Sequence, residues 1–102
     1  MGENFEAFKE KIWFDFEGAE KEETINLNTF AEKYYNGIKN YIVPVAAFVT
    51  VLNHRCWHWY QENDELSSLY SNLYYKYNEK AWEWLEQQGT DEEKTWYFKT
   101  MD

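Results

Sequence analysis

The chain has 102 residues, with seven Phe, nine Tyr and six Trp, and a formal net charge of -9. That length fits one domain, residues 1–102, able to bury a sizeable core. The acidity disfavours direct contact with nucleic acid or an anionic membrane surface. Ten basic residues against nineteen acidic ones also cannot line the cationic groove that base-stacking aromatics require. Cys56 is the only cysteine, so no internal disulfide can form, and a reducing, cytoplasmic setting is expected.

Met1 to Lys11 is charged and amphipathic, unlike a secretory signal. Gly2 follows Met1, but Glu6 stands where a myristoylation signal wants Ser or Thr. Phe5, Phe8, Ile12 and Phe16 recur at helical spacing and predict a first amphipathic helix over 3–16. Gly18 to Glu23 reads as an acidic connection, and Thr24 to Leu27 as loop. Asn28 is the expected N-cap of a second helix, because its side chain can accept from free first-turn N–H groups. Phe30, Ala31, Tyr34, Ile38, Tyr41 and Ile42 form one face of that helix. Glu32, Lys33, Asn36, Lys39 and Asn40 form the other.

Pro44 lacks an N–H and disfavours helix at Val43, which predicts a break or kink there. A third helix is expected from about Pro44 to Glu62. Val45, Phe48, Val49, Leu52, Cys56, Trp59 and Tyr60 share one stripe. Ala46, Ala47 and Val51 lie off it, so the first half is apolar nearly all round and should be central. The run Ile42 to Leu52 is too short to span a bilayer. Asn63 or Asp64 can cap a fourth helix that continues to Gln88, with Gly89 as its stop. Its main stripe is Leu66, Leu69, Tyr70, Leu73, Tyr77, Ala81, Trp84 and Leu85. Thr90 with Glu93 fits a capping box opening a short last helix, docked by Trp96, Tyr97 and Met101. The fold class is therefore all-α, a bundle of four or five helices.

Tyr75 and Trp82 carry the functional expectation. Seven residues apart, they fall on one line far from the main stripe of their helix. A second apolar line implies either a helix sandwiched between neighbours or a surface for a partner. The partner reading favours self-association, most simply as a two-fold dimer with these aromatics as anchors. Glu79, Glu83 and Glu86 share another face. They suggest either a solvated surface or an acidic decoy that occupies a basic groove of a nucleic-acid-binding protein. In composition alone the chain resembles small acidic helical products of phages and mobile elements, a likeness that no motif carries and that transfers no residue role.

His54, His58 and Glu62 stand at i, i+4 and i+8 and could offer metal ligands from one helix face, though no fourth ligand is identifiable. Cys56 lies on the apolar stripe, which argues for an inert thiol rather than a nucleophile. Arg55 and Trp59, one turn apart, could stack. No phosphate loop, nucleophile elbow, zinc-protease motif or EF-hand occurs. The reading that results is a non-enzymatic protein-interaction domain with no cofactor.

Overall fold

The computed structural model describes residues 1–101. They fold into five helices: α1 Phe5–Lys21, α2 Leu27–Ile38, α3 Ile42–Trp59, α4 Asp64–Gln88 and α5 Asp91–Met101. No strand occurs among the described residues, and the all-α bundle is as expected.

Helix α1 runs past its expected end. Ile12, Phe16 and Ala19 are buried on one side of it. Gly18 looks outward, with nothing within 4 Å of where a Cβ would sit. A mid-helix glycine costs about 1 kcal/mol, but the turn it extends buries Ala19 and carries Glu20 inward. Gly18 to Lys21 is therefore the last turn of a helix, and only Glu22 and Glu23 of the acidic stretch belong to the connection. Helix α2 starts earlier than expected. Asn26, not Asn28, is its cap, accepting from the Thr29 N–H at 3.2 Å. The chain between the two helices, including Thr24 and Ile25, is irregular.

The expected break falls at Lys39 to Tyr41, just ahead of Pro44. Pro44 lies in the first turn of α3, where backbone N–H groups have no intrahelical partner, so its missing donor costs nothing there. Val43 is helical despite preceding proline. Helix α3 packs against all four other helices. Ala46, Ala47, Phe48, Val49 and Leu52 are fully buried, which is why the first half of this segment is apolar all round. It ends at Trp59, and Gln61 turns the chain in the left-handed region at φ 68°.

Helix α4 returns antiparallel to α3. Cys56 lies beside Ser67 near the turn, and the Phe48 and Tyr77 rings meet at 5.2 Å further on. The Asn63 side chain caps α4, accepting from the Leu66 N–H at 3.1 Å. At about 1.5 Å per residue its 25 residues span the 40 Å long axis of the molecule. Gly89 stops it, but not through left-handed backbone, since φ is -78°. A Cβ there would sit 2.7 Å from the Leu85 carbonyl oxygen and 2.8 Å from its Cα, so close approach is what demands glycine. Beyond it the Thr90 hydroxyl accepts from the Glu93 N–H at 3.1 Å, and the Glu93 carboxylate accepts from the Thr90 N–H at 2.9 Å.

Helix α5 docks through Tyr97, which is fully buried and donates to Asn78 Oδ1 at 2.8 Å. Trp96 meets Phe5 edge-on at 5.7 Å. Gly2, at φ +100°, lies against the Trp96 indole where a Cβ would come within 2.7 Å of Nε1. No described helix is long and apolar enough to cross a membrane.

Candidate functional site

The most charged cluster inside the bundle joins α1, α3 and α4. Arg55 is 1 % exposed and the Glu20 side chain 7 %. Arg55 donates through Nε and Nη2 to the two Glu20 oxygens, each at 2.7 Å. Trp59 Nε1 adds a hydrogen bond at 3.2 Å, and the Tyr70 hydroxyl adds a fourth. Two donors on each oxygen saturate the carboxylate. The guanidinium is boxed by aromatic faces, 4.3 Å from the Trp13 ring centroid and 5.7 Å from that of Tyr70. Arg55 therefore stacks on Trp13 and Tyr70, while its expected partner Trp59 binds Glu20 instead. Burial, then the Glu20 carboxylate, raises the Tyr70 phenol well above its ordinary value of 10.0. A cleft of about 330 Å³, lined by Glu17, Lys21, His58 and Leu66, opens over this cluster. With every Glu20 acceptor occupied, the cluster reads as a clamp on three helices.

The histidine face does not assemble into a ligand set. Helix α3 ends at Trp59, so Glu62 lies in the following turn instead of one turn beyond His58. His58 meets Trp13 and Trp59 edge-on. Partial burial and the Lys9 charge lower the His54 pKa. No group of three or more His, Cys, Asp or Glu is placed to hold a metal ion among the described residues. Cys56 faces α4, its sulfur 3.6 Å from Ser67 Oγ.

The second apolar line of α4 divides between two environments. Trp82 is half-buried, its ring 5.2 Å from Tyr97 in an edge-on contact, so this half is covered by α5. Tyr75 is 67 % exposed and touches Tyr74 at 5.2 Å. Helix α5 is short. Met101 reaches the level of Thr50, whose hydroxyl lies 3.4 Å from its sulfur. Trp57 follows Thr50 by two turns on the same face of α3, about 10 Å further along. The track that α5 fills between α3 and α4 thus continues past it toward the Tyr60 turn. Along its rim lie Trp57, Tyr60 and Phe98, exposed by 64 %, 54 % and 62 %. Trp57 and Tyr60 pack edge-on at 5.3 Å. A small cleft of about 160 Å³, walled by Tyr74, Asn78, Trp82, Phe98 and Met101, marks the end of the covered part.

No known family profile, curated protein or solved structure matches the chain.

The α4 side of this edge is uncharged. Leu66 to Tyr75 contains no Asp, Glu, Lys or Arg, in a chain that is 28 % charged. Sequence reasoning singled out Tyr75 and Trp82; the structure adds Trp57, Tyr60 and Phe98 as exposed aromatics, and Tyr60, expected on the apolar stripe of α3, stands beyond the end of that helix. The ten-residue uncharged run was the signal that could have drawn attention to this end. Glu79, Glu83 and Glu86 are all exposed. Glu83, however, lines a cleft together with Lys39, Lys76 and Lys80, so basic charge interrupts the acidic face.

Proposed function

We propose that this chain is a non-enzymatic interaction domain that self-associates through the edge formed by α3, α4 and the end of α5. One observation carries the reading: Trp57, Tyr60, Tyr75 and Phe98 stand exposed around a helix–helix track that α5 covers only in part. Large aromatic residues are the usual anchors of protein interfaces. In a molecule of charge -9, two copies repel across most faces. The uncharged stretch around Leu66 to Tyr75 lets a second copy approach without that penalty, and a two-fold contact matches the patch to itself.

Trp82 is a poor probe of this contact, because its removal would also loosen α5. Trp57 and Tyr75 are the clean positions. Wild-type protein should show a concentration-dependent mass in analytical ultracentrifugation, approaching twice 12.5 kDa. The double variant Trp57→Ala, Tyr75→Ala should remain monomeric with an unchanged helical circular dichroism spectrum. A wild-type chain that stays monomeric at every accessible concentration refutes self-association.

A further inference from the structure

Helices α1 and α2 meet near Phe16, whose ring touches that of Phe30 edge-on at 5.0 Å. Toward the other end of the pair a cleft of about 320 Å³ opens, with Phe8 and Ile12 of α1, Gly37 and Ile38 of α2, and Pro44 of α3 in its wall. Gly37 keeps it open. A Cβ at that position would meet nothing within 4 Å, and the backbone there is not left-handed. Neither close approach nor conformation therefore demands glycine, and a side chain at 37 would extend into the cleft. Small-molecule sites are concave, mostly apolar, and carry a few placed polar groups.

The polar groups here are cations. Lys11 and Lys33 line the cleft, one from each helix, and no carboxylate does. Three other clefts of the molecule each have two carboxylates in their walls, as suits a chain of charge -9. Lysine stems extend an apolar wall while their ammonium groups stay at the rim. Lys33 forms no ion pair among the described residues. Lys11 lies 2.9 Å from Asp15, which also accepts from the Tyr34 hydroxyl at 2.7 Å. With Asp15 so close, a head group of single negative charge is tolerated better than a dianion. A helix, about 10 Å across, is too wide for this volume, whereas one aliphatic chain fits it.

We propose that the α1–α2 cleft binds a free aliphatic monocarboxylate. Its chain lies against Phe8, Ile12, Ile38 and Pro44 in the space that Gly37 leaves, and its carboxylate is held at the rim by Lys33 and Lys11. Burial of the chain supplies most of the affinity, and the lysines select the sign of the head group. The site uses none of the aromatic edge and stands or falls separately from self-association.

The test titrates the full chain with octanoate, below the concentration at which it forms micelles, and follows the Gly37 amide and the Ile12 and Ile38 methyl groups by NMR. Saturable shifts centred on these groups are expected. Octylammonium, the same chain with a positive head, should bind there at least about fivefold more weakly. Lys33→Gln, at an exposed position, should weaken octanoate about two- to fivefold and leave 1-octanol unaffected, because a rim charge contributes modestly. Gly37→Leu fills the cleft and should weaken octanoate at least about tenfold. Its helical circular dichroism and thermal midpoint should match or exceed those of wild type, since the added Cβ meets no neighbour and leucine favours helix over glycine. No saturable shift at these groups overturns the proposal. So does octanoate binding that survives Gly37→Leu unchanged, or octylammonium binding as tight as octanoate.

Discussion

Two polar regions inside this bundle have opposite characters. Around Glu20 and Arg55, four hydrogen bonds converge on one carboxylate and aromatic rings enclose the guanidinium. Around Tyr77 and Trp84, the buried hydroxyl and indole N–H have no hydrogen-bond partner among the described residues, and Glu32 and Glu83 share the neighbouring cleft with three lysines. Leaving a buried donor unpaired costs about 1–3 kcal/mol; the first region leaves one, Arg55 Nη1, beside four that are paired, whereas in the second neither the Tyr77 hydroxyl nor the Trp84 indole N–H is paired. The first region ties three helices together through paired polar groups, and the second contributes no such tie. That contrast is open to direct attack by mutation.

The largest effect should come from the clamp. Glu20→Ala strands a buried guanidinium and two further donors, Trp59 Nε1 and the Tyr70 hydroxyl. Removing one partner of a buried pair typically costs about 3–5 kcal/mol, and chemical denaturation should read a loss of that size. An apolar replacement of the whole set is a different experiment, because a buried ion pair need not beat a well-packed hydrophobic isostere. If Glu20→Ala proves nearly neutral, the clamp is not what holds α1 to α3 and α4.

Tyr70 gives a smaller, pH-dependent version of the same test. Tyr70→Phe removes one donor to a charged acceptor and should cost about 1.5–3 kcal/mol near neutral pH. The folded-state pKa of this phenol lies above its ordinary value of 10.0, through burial first and Glu20 second. The unfolded chain therefore releases that proton at lower pH than the folded one. The contribution is complete below about pH 10 and is lost as pH rises beyond it. Burial raises Tyr34 and Tyr97 in the same direction, so the whole molecule should weaken on the alkaline side. Tyr70→Phe should flatten that decline, measured as midpoint denaturant concentration against pH.

Most of the architecture was legible from the sequence because it rests on local physics. The α4 start at Asn63, its stop at Gly89 and the Thr90–Glu93 box depend on side chains reaching backbone within a turn. The apolar segment Val45 to Leu52 announced its own centrality. What stayed hidden depends on partners distant in the chain. Glu20 sits in a run of acidic residues that reads as solvent-facing, and only Arg55, far along the sequence, draws it inward. Gly18 looked like a stop, yet the burial of Ala19 behind it outweighs glycine's helix penalty. At Gly89 the sequence marked the stop, and close approach to Leu85, which depends on the folded backbone, is what demands the glycine. The aromatic edge was half visible. The spacing of Tyr75 and Trp82 marks a line on α4, but how much of that line is covered depends on how far α5 reaches.

The smallest expected change is also the most discriminating, because its sign differs from the others. Tyr77→Phe deletes a buried hydroxyl that has no partner and keeps the ring that packs against Tyr35 and Phe48 at 4.9 and 5.2 Å. No hydrogen bond is broken and no cavity of consequence is opened. The variant should match wild-type stability or exceed it by up to about 1 kcal/mol, in contrast to the loss expected for Tyr70→Phe with identical chemistry. Unfolding of the two Tyr→Phe variants side by side decides the matter. A clear loss of stability at Tyr77 would mean that its hydroxyl is satisfied in solution, and the difference between the two regions would disappear.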